Sequence, residues 1–385
     1  MIPDDPELRR ALDARSGEPS PEFRGGLHQA LARGRPAANW IPAIAVATVI
    51  VLTVASVGVL LAARNLAHPP HGGLVSGART ASPTTSPTES PVVLPSQAYL
   101  SAPSRDIVWA FVDYRLLFRS QDSGQTWERR QLPLGVDTGR LVFTFADADN
   151  GWALLAISPA TQCQAEGAQI WHTADGANTW RLITSVAAER AGGNGIRAEQ
   201  CKEFISFVDK ARGFVTAWDD NSPPTIYRTI DGGATWKSSR LPDPPGFQTA
   251  TGGFTLRAQD VYRLGNVLLV TAYGMQESGG KGYVFKSIDG GAGWTYTAPI
   301  PSPAIAVAFV TESRWLQVIL PGQSVETTDA GRSWHAYASD YGQAAPVSPQ
   351  VVFGDASVGY ATVRGSIQRT EDGGLHWKYI KTPGT

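Results

Sequence analysis

Apolar and polar residues alternate over short runs along most of this chain, as in TIYRT (225–229), YVFKS (283–287) and GSIQRT (365–370). A period of two predicts strands with one face buried. Each run leads into nearly the same eight letters: SQDSGQTW (120–127), TADGANTW (173–180), TIDGGATW (229–236), SIDGGAGW (287–294), TTDAGRSW (327–334) and TEDGGLHW (370–377). The shared aspartates, Asp122, Asp175, Asp231, Asp289, Asp329 and Asp372, stand 53, 56, 58, 40 and 43 residues apart. A repeat of this length predicts a propeller, a solenoid or an array.

The letters say what the turn does. An aspartate there can accept hydrogen bonds from backbone N–H groups just beyond it, and glycine permits a backbone angle that other residues resist. Trp127, Trp180, Trp236, Trp294, Trp334 and Trp377 then open the next strand, each a large apolar plate to bury between units. They are half of the chain's 12 tryptophans.

A second signature lies upstream. FADADNGWALLA (145–156), FVDKARGFVTAW (207–218) and FGDASVGYATV (353–363) share Phe-x-Asp, a three-residue gap, then glycine and an aromatic. FVTESRWLQVIL (309–320) is a degenerate copy, and RDIVWAFV (105–112) keeps only the second half. Each predicts a strand, a tight turn and a second strand. With the strands around the box, every unit holds four antiparallel strands. The fold class is therefore all-β, a six-bladed β-propeller with each box between the third and fourth strands.

The boxes resemble the Asp-box (BNR) repeats of sialidases and sortilin-type receptors. With the glycine-aromatic strand pair, the chain is most similar to propellers of the photosystem II assembly factor type, over roughly residues 97–385. It departs from the pattern at Ala177, where glycine is usual, and at Gly293 and His376, where threonine is usual. Those three turns are expected to be looser.

One stretch has no alternation. IPAIAVATVIVLTVASVGVLLAA (41–63) is almost wholly apolar, and no charged residue lies between Arg35 and Arg64. As a helix it would span about 34 Å, enough to cross a bilayer core of about 30 Å. It begins too late and runs too long for a cleaved signal peptide. Arg24, Arg33 and Arg35 precede it, against Arg64 and Arg79 after it, which favours a cytoplasmic N-terminus. The expected organisation is a cytoplasmic tail (1–38), a single transmembrane helix (39–64), a Pro/Ser/Thr-rich stalk (65–104) whose end can supply a first strand, and the propeller (105–385) outside the cell membrane. The stalk contains ASPTTSPTESPVVLPS, too rich in Pro, Ser and Thr to pack a core. In the tail, 6 arginines balance 6 acidic residues. A solvated segment is expected there, with a docking helix for a cytoplasmic partner as the sharper reading. Its Ala/Gly/Arg-rich, Lys-poor composition points to a bacterium.

Charge removes other classes. Before residue 97 the chain holds 8 basic and 7 acidic residues, so 25 and 27 of the total 33 and 34 remain for the propeller. No basic stripe stands out, which argues against nucleic acid. His172, His335 and His376 belong to different blades, and no Cys/His spacing suits a metal. Neither a metal nor a cofactor is expected.

The resemblance raises an enzyme reading, an exo-acting sialidase-like glycosidase. Its residues do not carry over: the Arg-Ile-Pro motif of the first blade is missing, SRDIVW (104–109) being the nearest approach, and the inner strands of the last two blades hold no arginine. Arg119, Arg228 and Arg369 do recur, one residue before the box Ser/Thr, and are expected at solvated strand positions. A different glycosidase would need paired carboxylates facing one cavity; Asp219 and Asp220, with Glu166, Glu199 and Glu277 in nearby loops, are expected to be solvated. No catalytic residue is assigned. The preferred expectation is a non-enzymatic binding or scaffold propeller for a protein or glycan, with the divergent glycosidase as the alternative.

Connections on the side away from the boxes are long and varied in blades two to four (158–168, 187–200, 219–224, 242–253, 273–282) and shrink to 321–323 and 364–365 later, with 339–349 the exception. Long variable loops on a rigid scaffold usually carry recognition. They supply Arg190, Arg197, Asp219, Asp220, Phe247, Tyr273 and Glu277 as candidate partner-binding residues. The same side receives Cys163 and Cys201, the only 2 cysteines. An even count outside the cell favours a disulfide, which in the chain-entropy model stabilises by roughly 3–4 kcal/mol. Free-thiol labelling of the unfolded, unreduced protein is expected to find no reactive cysteine; two labelled cysteines would end the pairing.

Overall fold

The computed structural model describes residues 98–382 except 113, 134–139, 158–165, 187–193, 220–221, 248–254, 277–278, 320–321, 343–348 and 364–365. By contacts the chain divides into two units, Met1–Pro87 and Thr88–Thr385. The tail, the apolar run 41–63 and the stalk as far as residue 97 lie outside the described residues. Among the described residues no helix is long and apolar enough to cross a membrane.

The described strands form six antiparallel sheets of four consecutive strands each. Blade 1 is β1 (Ala98–Ser101), β2 (Val108–Val112), β3 (Leu116–Ser120) and β4 (Glu128–Arg130); blade 2 is β5 (Arg140–Phe145), β6 (Gly151–Ile157), β7 (Gly167–Thr173) and β8 (Arg181–Val186). Blade 3 is β9 (Cys201–Phe207), β10 (Gly213–Asp219), β11 (Ser222–Thr229) and β12 (Lys237–Arg240). Blade 4 is β13 (Leu256–Leu264), β14 (Val267–Gln276), β15 (Gly279–Ser287) and β16 (Thr295–Pro299). Blade 5 is β17 (Ala308–Phe309), β18 (Trp315–Gln317), β19 (Val325–Thr327) and β20 (His335–Ala336), and blade 6 is β21 (Gln350–Phe353), β22 (Gly359–Val363), β23 (Ser366–Thr370) and β24 (Lys378–Ile380). Every third strand ends on the box Ser or Thr. The first strand comes from the end of the expected stalk.

The box is a closed set of hydrogen bonds. In blade 3, Thr229 Oγ1 donates to Asp231 Oδ1 (2.7 Å) and accepts from Gly233 N (3.0 Å). Asp231 takes Thr235 N on Oδ1 (2.9 Å) and Thr235 Oγ1 on Oδ2 (2.6 Å). The three departures were expected to loosen their turns; two do not. Ala177 holds the left-handed backbone (φ 61°) and still donates its N–H to Thr173 Oγ1 at 2.9 Å. His376 replaces threonine by placing Nδ1 2.6 Å from Asp372 Oδ2. Only Gly293 forfeits a bond: its amide reaches Asp289 Oδ1 (3.0 Å), with no side chain for Oδ2.

The second signature has a steric logic. Its phenylalanine pairs across the hairpin with its glycine, as Phe145 with Gly151, Phe207 with Gly213 and Phe353 with Gly359. The ring lies over the glycine, so that a Cβ at Gly213 would stand 2.5 Å from the Phe207 ring. The aspartate ties the turn: Asp209 Oδ1 accepts from Ala211 N (3.0 Å) and Arg212 N (2.8 Å). The aromatic after the glycine reaches the next blade. Trp152 stacks on Phe207 with ring centroids 3.7 Å apart, and its Nε1 donates to Gly232 O (3.0 Å).

The core lies between blades. Each of six apolar clusters straddles two successive blades, and the box tryptophan of the later blade sits in each. Among the described residues no strand is exchanged between the first and last blades. Blades 6 and 1 close the ring through Leu100, Val352, Tyr360 and Trp127, with Leu100 N donating to Gln350 Oε1 (2.6 Å) and Tyr360 Oη to Arg105 O (2.6 Å).

The recurring arginines were expected to be solvated, and this is corrected for Arg119 and Arg369. Arg119 is buried; it donates to Ala148 O of blade 2 (2.9 Å) and Glu128 (2.9 Å), and lies over the Trp109 ring. Arg369 is mostly covered and pairs with Glu371. Arg228 is half-buried. The reason is geometric: a side chain one residue before the box reaches the gap between blades.

Replacing Gly213 by alanine is expected to cost about 1–3 kcal/mol, as overpacking does, because Phe207 is pinned by Trp152. Denaturant unfolding measures it; an unchanged midpoint would refute the account.

Candidate functional site

The first strands, β1, β5, β9, β13, β17 and β21, line a central cavity of about 950 Å³. Register orients it. In each blade the third strand runs into the box, so Gly213, paired with Thr229, marks the box end and Asp219 the opposite end. Cys201 pairs with Trp218, which puts the start of β9 at that opposite end too.

The box end is chemically spent. Its carboxyls are held low by the turn itself. In Asp175 and Asp329 the hydroxyls of Thr179 and Ser333, with the amides of the same residues, hold the carboxyl at about 2. In Asp122 and Asp231 burial pushes up, but the hydroxyl and amide of Thr126 and Thr235 win and leave about 2. Asp372 likewise sits at about 2 against burial, through the amide and ring of His376. His376 is raised in return by the Asp372 carboxylate. Asp289 is lowered by the Gly293 amide and the Ser287 hydroxyl.

The opposite end carries the sequence-predicted residues that can be placed. Arg197 is exposed, and its Nε stands 3.4 Å from Glu199 Oε2. Asp219, half-buried at the end of β10, accepts from Gln200 Nε2 (2.9 Å) and Ser222 Oγ (2.7 Å) on Oδ2. Phe247 packs against the blade 3–4 core with its ring 5.6 Å from Tyr283. Tyr273 is half-buried: a Cβ at Gly282 would meet its ring at 2.8 Å. It is part of the blade 4–5 packing as well as of the cavity wall. Arg190, Asp220 and Glu277 lie outside the described residues. Cys201 is disulfide-bonded; Cys163, the other cysteine, is also outside them. Glu166, expected in a solvated loop, is instead buried, with Oε2 accepting the Lys202 amide at 2.5 Å. Lys202 is buried with it, and Nζ donates to the carbonyls of Glu166, Ala198 and Gln200 at 2.8, 3.2 and 2.6 Å. Burial lowers that ammonium to about 8.

Apart from Tyr273, the sequence reading missed the cavity wall and the side chains packed behind it. Arg140 and Glu203 face each other from β5 and β9 at 2.6 Å, and Trp218 Nε1 donates to the same Glu203 carboxylate. Arg257 lies over the Trp218 ring at 3.9 Å. Tyr99 and Tyr114 join hydroxyls at 2.9 Å. Asp260 sits where the β13–β14 register slips between Ala258 and Val261, a bulge that re-aims side chains. Its Oδ1 accepts from Ser206 Oγ (3.2 Å), which in turn accepts from Val261 N (2.9 Å). Burial deep in the ring pushes the Asp260 carboxyl up to about 7, against the Ser206 hydrogen bond. These residues are scattered over several strands and one turn, and no shared spacing in the sequence marks them. Among the described residues no group of His, Cys, Asp and Glu could hold a metal ion.

The chain is thus a six-bladed β-propeller built on Asp-box turns around an aromatic-walled cavity. No protein-family model matches it, and no curated protein is similar to it. Among solved structures it is similar to YCF48 from Cyanidioschyzon merolae, at 17% identity and TM-score 0.42 over 75% of this chain and 88% of that one. A Hadza microbial sialidase, Hz136, matches at 14% identity and TM-score 0.46 over 70% and 65%. A GH93 alpha-L-arabinofuranosidase of Fusarium graminearum, in complex with arabinobiose, matches at 12% identity and TM-score 0.44 over 76% and 94%.

The two sets of carboxyls act on stability in opposite directions. The box aspartates at about 2 stabilise fully above their unfolded value of 3.8, and that contribution is lost as pH falls through about 2. Asp260, raised from 3.8 to about 7, binds a proton in the folded state that the unfolded chain has released, so stability falls as pH rises across that window. Asp260→Asn is expected to match the wild type near pH 4 and to exceed it at pH 8 by on the order of 2–4 kcal/mol. Equal unfolding midpoints at pH 8 would sink this.

Proposed function

We propose that the chain is a membrane-anchored propeller that works as a non-enzymatic binding or scaffold module for a protein or glycan. One observation carries the reading: the chemically varied groups, Arg197, Asp219 and the Arg257–Trp218 pair, sit on the end opposite the boxes, while the box end spends its polar groups on its own turns. The carboxylates at that end are already engaged, Asp219 by Gln200 and Ser222 and Glu203 by Arg140 and Trp218. Such groups suit recognition better than proton transfer.

The apolar run 41–63 is the anchor in this proposal, with the tail in the cytoplasm and the propeller outside. The disulfide-bonded Cys201 supports an oxidising compartment, and Cys163 is its proposed partner. The tail is left free to meet a cytoplasmic partner.

Crosslinking capture from the native membrane tests the binding face. Arg197→Glu combined with Arg257→Glu is expected to abolish capture of the partner without lowering Tm. Asp231→Ala and Trp236→Ala should lower Tm and affect capture only through unfolding. A folded box variant that loses capture while the arginine variant keeps it would place the site on the other face. Turnover on a broad glycoside panel would replace the scaffold reading with the glycosidase.

A further inference from the structure

The cavity has an unusual charge inventory. Arg140 and Glu203 neutralise each other, at 2.6 Å. Arg263 turns to Gly265 O (3.0 Å) and lies 3.8 Å from Asp209. From β14 the wall receives Tyr273 and from β13 itself Tyr262, both neutral, while β10 and β11 contribute nothing to it. Asp260 remains. Among the described residues no cationic side chain acts on it, and its side-chain donor is the Ser206 hydroxyl at 3.2 Å.

A carboxyl in this position is costly to ionise unless something neutralises it. The bulge in β13 nonetheless sets it on the wall of a large cavity rather than in the packing between blades. Asp260 is four residues from Leu256, about 13 Å along the strand from the end opposite the boxes. A broad folded surface cannot follow it there; a slender chain can. Aromatic side chains, Tyr99, Phe111, Tyr114, Phe143 and Phe204, line other parts of the same wall, and aromatic faces attract alkylammonium groups.

We infer that the cavity binds a linear aliphatic amine, whose ammonium group docks on the Asp260 carboxylate. This deepens the binding reading of the cavity end and rests on it. The chemistry is that of a polyamine or of a free amino terminus on an extended chain. Docking must ionise Asp260, so binding releases a proton, and affinity rises with pH until the carboxyl is ionised in the free protein. The other groups whose titration could mimic this are excluded by position: Glu203 is paired, and Tyr262 and Tyr273 are raised by burial away from neutral pH.

The test is calorimetric titration of the full chain in detergent with spermidine and with triglycine amide, each beside its N-acetylated form, from pH 5 to pH 8.5. At least one free amine is expected to bind at pH 8 and its acetylated form not. Affinity should fall about tenfold per pH unit below the Asp260 midpoint near 7. Spermidine alone identifies a polyamine, triglycine amide alone a chain terminus, and both the ammonium group itself. Asp260→Asn, with Tm as its folding control, should abolish binding at every pH. Should that variant not fold, the wild-type pH profile decides, because a midpoint near 4 belongs to another carboxyl. No binding by either amine, equal binding of the acetylated forms, or retained binding in Asp260→Asn overturns the inference. If the arginine variants still lose their partner in that case, the proposed function stands and only the amine site falls.

Discussion

A four-stranded blade has two apolar faces and no interior, and this constraint governs everything else in the molecule. A face can be buried only against the next blade, so the stabilising contacts lie between repeats and the last repeat must meet the first. Six clusters do this, each with a box tryptophan inserted from the later blade. The Asp-box is best understood as the device that aims that tryptophan. Its carboxylate and hydroxyl hold the turn in one geometry, and the next residue is thereby delivered into the gap between blades.

The glycine-aromatic hairpin solves the same problem from the other side of the gap. Phe207 covers Gly213, and Trp152 of the preceding blade stacks on Phe207 and hydrogen-bonds to Gly232 in the following box. Two sequence signatures that look independent are therefore halves of one contact. Where the pattern is degenerate the contact is rebuilt. In blade 5 Trp315 takes the glycine's place opposite Phe309 and packs edge-on against its ring; the preceding Arg314 pairs Nε with Glu326 (3.0 Å) while Nη2 reaches Tyr337 Oη (3.1 Å).

Function is confined by this division of labour. With the box end consumed by its own turns, variation is left to the opposite end and to the ring's centre. Arg257 over Trp218, Trp218 on Glu203 and Glu203 on Arg140 form a relay of held side chains across three blades. Each fixes the rotamer of the next, which keeps the cavity end rigid, as the proposed binding role requires. Asp260 stands outside that relay and keeps its charge problem.

Strand order, blade number, box position and the role of tryptophan were all legible in the letters, because each depends on residues within one turn of chain. His376 could be read as a departure, but not as a working replacement; only the 2.6 Å approach of its Nδ1 to Asp372 shows that. The Arg119 contact with Ala148 was illegible for the same reason: its partner is 29 residues away, across a gap the sequence does not measure. Asp260 had no signal at all. One aspartate in LRAQDVYRL is an ordinary strand residue; closing six blades into a ring is what sets it half-buried on the cavity wall, with no cation beside it among the described residues. Local hydrogen bonding and periodicity write the repeat into the sequence, whereas electrostatics at the centre belongs to the assembled ring, since burial is a property of the neighbours and not of the residue.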